Sequence, residues 1–242
     1  VDLKHVDFGY DSEKMILKNI NLTAEPGNMI AIVGPTGAGK TTIVNLLMRF
    51  YDPQSGEILI DGQSIYQVTR KSLRGSFSMV LQDTWLFNGT IHDNIAYGNP
   101  DATREAVIAA AKAAHIHGMI MRLPHGYDTV ITEDGVNISK GQKQLMTIAR
   151  AMLQPGRLLL LDEPTAAMGI RESHQTMQLL RRLRQEDHTL LIVSHDIYQV
   201  FDVADRIFVM RAGRCIADIM AKNSSPEELH HLILEREQGV AE

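Results

Sequence analysis

With one cysteine in 242 residues, Cys215, no disulfide can form within the chain. A reducing compartment is consistent with that. No apolar run approaches the roughly 20 residues needed to span a bilayer. The opening Val1-Asp2-Leu3-Lys4 lacks a signal-peptide pattern. It also lacks an initiating Met, which leads us to expect a chain cut from something longer. Net charge is −5, so there is no basic footprint, and a nucleic-acid partner is not expected. Tandem repeats and low-complexity linkers are missing too. What remains is 44% hydrophobic and 22% charged, enough to bury the core of one large globular domain, with room for a subdomain.

The most informative stretch is Gly34-Pro35-Thr36-Gly37-Ala38-Gly39-Lys40-Thr41. It fits G-x-x-x-x-G-K-[ST], the phosphate-binding P-loop. Met29 to Val33 before it reads as a buried strand. After it, Ile43, Leu46, Leu47 and Phe50 stand at i, i+3, i+4 and i+7, one apolar face of a helix over 41–50. Glycines let the backbone turn its N–H groups toward phosphate oxygens. The following helix points its positive end at the same anion. Lys40 is placed to reach the β- and γ-phosphates of a nucleotide, and the Thr41 hydroxyl to ligate Mg²⁺. A chance Gly-rich turn would not come with strand and helix on the correct sides.

Residues 1–8 and 16–24 alternate as half-buried strands do, and Glu57 to Ile60 and 77–81 read as further strands. From Trp85 to Pro155 the chain turns helical. Thr103 to Ala114 is Ala-rich, and 141–153 carries Leu145, Ile148, Ala149 and Met152 on one face. Leu158 to Leu161 is a continuous apolar run ending in Asp162-Glu163. A helix over 171–184 faces Met177, Leu180 and Leu183 inward. Thr189 to Val193 is the next buried strand, ending at Ser194-His195. Strands at 206–210 and 215–219 flank the turn Ala212-Gly213. Ser225, Pro226 and Glu228 take the N-cap, N1 and N3 positions of a last helix. Strands alternating with helices imply an α/β core with a parallel sheet. Ligands of such sheets bind beyond the carboxyl ends of the strands. The strands ending at Val33, Leu161 and Val193 are therefore expected to converge on one site.

Asp162 after four leucines resembles a Walker B aspartate positioning Mg²⁺. Glu163 is the better candidate for the base that polarises the attacking water. Over almost its full length the sequence resembles the nucleotide-binding domain of an ABC transporter. Ile138-Ser139-Lys140-Gly141-Gln142 is similar to the LSGGQ signature that separates this family from other P-loop ATPases, with Ile138 for Leu and Lys140 for the first Gly. The resemblance implies a P-loop NTPase (RecA-like) core, an antiparallel β subdomain and an inserted helical subdomain. Residues 1–84 and 157–242 would form the core with the β subdomain, and 85–156 the helical subdomain carrying the signature.

The resemblance also implies roles. ATP and Mg²⁺ are the expected cofactors. The loop 34–41, with Thr42, would hold the phosphates. Tyr10 matches the aromatic that stacks on adenine, although strand packing is its plainer use. Gln82 matches the glutamine that touches Mg²⁺ and links to the membrane domain, and His195 the switch histidine at the γ-phosphate. Ser139, Gly141 and Gln142 would cap the ATP held by a second nucleotide-binding domain in a head-to-tail homo- or heterodimer. Lys140 reads as solvated. Glu163, His195, Lys40 and Gln82 are the expected catalytic set, and Thr41, Gln82 and Asp162 the metal set. The partners implied are transmembrane domains of a transporter. The place implied is cytoplasmic, at the inner face of a membrane, with the isolated chain soluble. His115-x-His117 and His230-His231 lack a third ligand at metal spacing.

The likeness has two styles. Residues 1–158 resemble the exporter branch, including Trp85 to Ile91 after Gln82 and the loop Thr132-Glu133-Asp134-Gly135. Residues 159–235 resemble ATPases of ribose-class sugar importers, at Glu163 to Ser173, Ser194-His195-Asp196 and Val200 to Arg206. The expectation drawn from this is a chimera or recombined design with its junction near 155–161. Gly169 stands where exporters carry the Asp that couples the two sites of the dimer. A domain that holds ATP with little turnover is the alternative.

Overall fold

The computed structural model describes residues 1–11, 13–82, 84–132, 138–166, 168–185 and 188–234. Strands β1 (Asp2–Phe8), β2 (Leu17–Thr23) and β3 (Met29–Val33) precede helix α1 (Lys40–Leu47). Then come β4 (Ser55–Ile60), β5 (Gln63–Ser64), α2 (Arg70–Gly75) and β6 (Phe77–Val80). A mostly helical stretch holds β7 (Gly89–Thr90), α3 (Ile91–Ala96), α4 (Arg104–Ala113), α5 (His117–Ile120), β8 (Val130–Ile131) and α6 (Lys140–Met152). The chain finishes with β9 (Leu158–Asp162), α7 (Ile170–Gln185), β10 (Thr189–Ser194), α8 (Ile197–Phe201), β11 (Arg206–Arg211), β12 (Arg214–Met220) and α9 (Pro226–Leu234).

The central sheet runs β12-β11-β3-β10-β9-β6. It is parallel except for β12, which returns antiparallel on β11. A second, antiparallel sheet runs β2-β1-β4-β5. The fold is thus α/β, a P-loop core with an added antiparallel sheet. All five residues of β3 and all five of β9 are buried, as expected of strands covered on both faces. Their side chains alternate between two cores. Met29, Ala31, Val33, Leu159 and Leu161 face the helical side, with Leu145, Ile148 and Leu180. Ile30, Ile32, Leu158 and Leu160 face the other side, with Ile43 and Leu47 of α1 and Leu3, Val6 and Ile20 of the antiparallel sheet.

Register places the site. Val33 pairs with Ser194, and Asp162 with Val193. The ends of β3, β9 and β10 therefore lie side by side, as the sequence leads one to expect. Ser225 and Glu228 exchange hydrogen bonds at the start of α9, closing its capping box.

Two expectations need correction. The helix after the P-loop does not reach Phe50. It stops at Leu47, and Arg49 takes a left-handed φ of 51° that turns the chain away. Phe50 is 48% exposed, its ring under the Arg74 guanidinium at 4.9 Å. The stretch from Trp85 to Pro155 is also not purely helical, because β7 and β8 pair within it. Strands of two residues are too short to show a period. Of the loop 132–135, residues 133–135 lie outside the described residues.

Candidate active site

The P-loop is shaped by close backbone packing. A side chain on Gly34, at φ 150°, would lie 2.1 Å from the Met210 carbonyl of β11. Gly39 sits before α1 with φ 100°, and a Cβ there would meet Leu17 at 2.6 Å. Helix α1 begins with no side-chain cap. Its first-turn N–H groups thus lack the side-chain oxygen that usually takes one of them. Lys40 is 8% exposed, and its ammonium donates to the Gly34 carbonyl at 2.7 Å and the Pro35 carbonyl at 3.1 Å. Burial pulls its pKa below the usual lysine value, and the charges of Glu163 and Asp162 pull it back up. Pro35 also accepts from the Ala38 N–H, and Ala38 accepts in turn from Gly213.

The acidic strand end meets this loop. The Thr41 hydroxyl donates to Asp162 at 3.0 Å (Oδ2) and 3.3 Å (Oδ1), and Asp162 is 4% exposed. Glu163 takes φ 48°, rare for a residue with a side chain, with its N–H on the Val193 carbonyl at 2.9 Å. Its Oε2 lies 2.8 Å from His195 Nδ1 and accepts from the Ser194 hydroxyl at 3.4 Å. A cavity of about 430 Å³ is lined by Thr36, Lys40, Thr41, Gln82, Glu163 and His195 among others. Gly37, Gly39 and Thr42 line it too.

Tyr10 stands beside this cavity. Its hydroxyl lies 3.3 Å from Thr42 Oγ1 and accepts from the Asn45 amide at 3.1 Å. Phe8 and Tyr51 meet its ring edge-on, each at 5.0 Å between centroids, and Tyr10 is 50% exposed. The signature residues do not join the cavity. Ser139 caps α6 in a reciprocal box with Gln142: the Gln142 N–H donates to Ser139 Oγ at 3.2 Å, and the Ser139 N–H to Gln142 Oε1 at 3.0 Å. Gly141 is in the first turn of that helix, and Lys140 is exposed.

Several contributors are not named by the sequence reading. Gln144 of α6, 1% exposed, donates to the Leu81 carbonyl next to Gln82 at 3.2 Å. Arg150 of α6 bonds the carbonyls of Asn94 and Trp85. Asn45 holds Tyr10. The only local signal for Gln144 and Arg150 is a polar residue on a largely apolar helix. His117 pairs with the Tyr127 hydroxyl at 2.9 Å, a structural use.

The fold combines a P-loop, an acidic strand end and a capped S-K-G-Q helix start, and the family model described as "ABC transporter" matches residues 17–166. The chain belongs to the ABC transporter family. ATP-binding domains of this family are ATPases, and this chain is one of them. It is 49% identical over 216 residues to the fatty acid ABC transporter ATP-binding/permease protein of Mycobacterium bovis, covering 89% of this chain and 34% of that protein. It is 43% identical over 238 residues to a putative multidrug export ATP-binding/permease protein of Staphylococcus aureus, covering 96% of this chain and 41% of that one. Among solved structures, an ATP-bound bacterial Atm1-family ABC exporter superposes with a TM-score of 0.87 at 39% identity, covering 100% of this chain and 42% of that one. The chain thus spans roughly a third to two-fifths of the length of these relatives. The 238-residue match crosses positions 155–161, so one exporter-type protein aligns with both the exporter-like and the importer-like segments.

The residues fit the groups the family implies. A buried ammonium and an uncapped helix start suit a polyphosphate. The exposed Thr41 hydroxyl and the buried Asp162 carboxylate offer the hard oxygen donors a Mg²⁺ ion takes. Among the described residues, no helix is long and apolar enough to cross a membrane.

Proposed function

We propose that this ABC ATPase domain hydrolyses ATP at the Lys40–Glu163 cavity and works as the motor of a transporter. The convergence of Lys40, Thr41, Gln82, Glu163 and His195 on one cavity, with Thr41 bonded to Asp162, carries the reading. Lys40 exchanges its two carbonyl partners for the β- and γ-phosphates, while the P-loop N–H groups and Thr42 cradle them. Tyr10 offers its exposed ring face to adenine. Thr41, Asp162 and Gln82 would hold a Mg²⁺ ion, which would neutralise charge on the phosphates. Glu163 orients and polarises the attacking water. His195, fixed through Nδ1 to Glu163, turns its other ring nitrogen to the γ-phosphate. Catalysis of this kind is positioning plus charge stabilisation.

A second copy or a related domain completes the site. Its Ser139, Gly141 and Gln142 cap the γ-phosphate from across a head-to-tail dimer. The membrane-spanning partner supplies the substrate path, and the domain sits at the cytoplasmic face of that membrane. Gly169 favours one second reading, a domain that binds ATP and turns over slowly.

The test is Mg²⁺-ATP hydrolysis across protein concentration, with Glu163→Gln alongside. Specific activity is expected to climb with concentration. The variant is expected to lose on the order of 100-fold or more of it, the range for removing a general base. ATP binding with no turnover at any concentration would leave the slow-turnover reading. Activity indifferent to both concentration and Glu163→Gln would overturn the mechanism.

A further inference from the structure

A closed ring of hydrogen bonds joins the Glu163 turn to the His195 turn. Glu163 Oε2 accepts from Ser194 Oγ at 3.4 Å. Ser194 Oγ accepts from the Asp196 N–H at 3.1 Å. Asp196 caps α8, its Oδ1 accepting from the Gln199 N–H at 3.1 Å. The Gln199 side chain then accepts from the Thr165 hydroxyl at 2.7 Å. Thr165 stands two residues after Glu163 and is 8% exposed. Glu163, Thr165, His195, Asp196 and Gln199 all line one small cavity of about 200 Å³.

The ring has work to do at both ends. Glu163 holds a left-handed φ of 48° that its neighbours must enforce. The His195 side chain is 62% exposed, and among the described residues it is held by Glu163 Oε2. Among the described residues, the other hydrogen bonds joining the 163–165 and 194–199 turns are the Glu163 N–H on Val193 and those of the Glu163 carboxylate itself. The Thr165–Gln199 bond is the cross-tie between them.

We propose that Thr165 and Gln199 are positioning residues that hold the Glu163 carboxylate and the His195 ring in register. The inference rests on the reading of Glu163 and His195 as the reacting pair. Thr165 donates and Gln199 accepts, so Thr165→Ser and Gln199→Glu preserve the bond, while Thr165→Val and Gln199→Leu delete it at similar volume.

The experiment reads the His195 ring ¹⁵N resonances of the nucleotide-free protein by NMR, then kcat and KM for Mg²⁺-ATP, with melting temperature as the check on folding. In Thr165→Val and Gln199→Leu the Nδ1 resonance is expected to move toward its position in Glu163→Gln. The two conservative variants stay at the wild-type position, and the double deletion moves no further than either single one. In turnover, kcat is expected to fall about tenfold, with KM within about twofold, as for a small misplacement of reacting groups. An Nδ1 resonance unmoved in folded Thr165→Val and Gln199→Leu overturns the proposal. So do conservative variants that move it as far as the deletions. Should Thr165→Val not fold, Gln199→Leu, whose side chain is half-buried, carries the test alone. The spectral result is independent of turnover. A fully active Glu163→Gln would therefore sink the base assignment while the resonance still decides the cross-tie.

Discussion

The P-loop end and the signature end of this molecule are built on opposite plans. At the P-loop, three parallel strands deliver Lys40, Asp162-Glu163 and Ser194-His195 to one edge, and the polar groups meet within the chain. At the signature, among the described residues, the Ser139 and Gln142 side chains bond each other, on an exposed helix start away from the nucleotide cavity. Both are helix N-termini, the natural place for an anion. Helix α1 has no side-chain cap, whereas α6 has two reciprocal bonds. The P-loop end is poised for a ligand in the single chain. The signature end is already capped within the chain by Ser139 and Gln142.

Variants can break this contrast, and we give them in order of expected effect. Lys40→Met removes the cation facing the phosphates. ATP affinity measured by titration is expected to fall by about 2 kcal/mol or more, the range for charge-assisted hydrogen bonds. The same variant carries a pH signature. Burial lowers the Lys40 pKa below 10.5, so the unfolded chain holds that proton more tightly than the fold does. The charged form therefore opposes folding, and the penalty fades as pH rises from the folded-state pKa toward 10.5. Wild-type stability relative to Lys40→Met is expected to rise along that range in denaturant melts.

Ser139→Ala tests the other end. It removes one bond of the capping box, costing about 1 kcal/mol of stability. ATP affinity of the dilute monomer is expected to stay as it is, while the concentration-dependent part of turnover drops. Equal loss of monomer binding would place the signature inside the single-chain site and erase the contrast. Tyr10→Ala should weaken ATP by about 0.5–1.5 kcal/mol, the worth of an aromatic pair, and Tyr10→Phe should retain most of that. Gly169→Asp has the smallest expected effect on the fold. A Cβ there meets only the movable Glu172 carboxylate at 2.7 Å. Stability should shift by less than about 1 kcal/mol, leaving turnover at high concentration to report whether the missing Asp limits coupling.

The parts legible in the sequence are those written locally. Short apolar runs ending in polar residues mark β3, β9 and β10, and strand parallelism alone brings their ends together. The helix face Leu145-Ile148-Ala149 is buried as its spacing predicts. The parts not legible depend on distant pairs. Gln144 reaches Leu81 across 63 residues and Arg150 reaches Trp85 across 65, and neither leaves a local pattern. Phe50 fits the helical period but falls beyond the turn at Arg49, because periodicity carries no information on where a helix ends. The capping box at Ser139 was spelled out as S-x-x-Q. The same letters also form part of the signature.

The alternation of β3 between two cores has a kinetic consequence. None of its five side chains reaches water, and its backbone pairs on both sides with β10 and β11. To free this strand, both cores and two ladders must open at once. The amides of Ile30 to Val33 are therefore expected to exchange with solvent only through global unfolding. Those of the loop immediately after it, Thr36 to Gly39, exchange by local motion. A sharp fall in protection is then expected within a few residues, at Gly34.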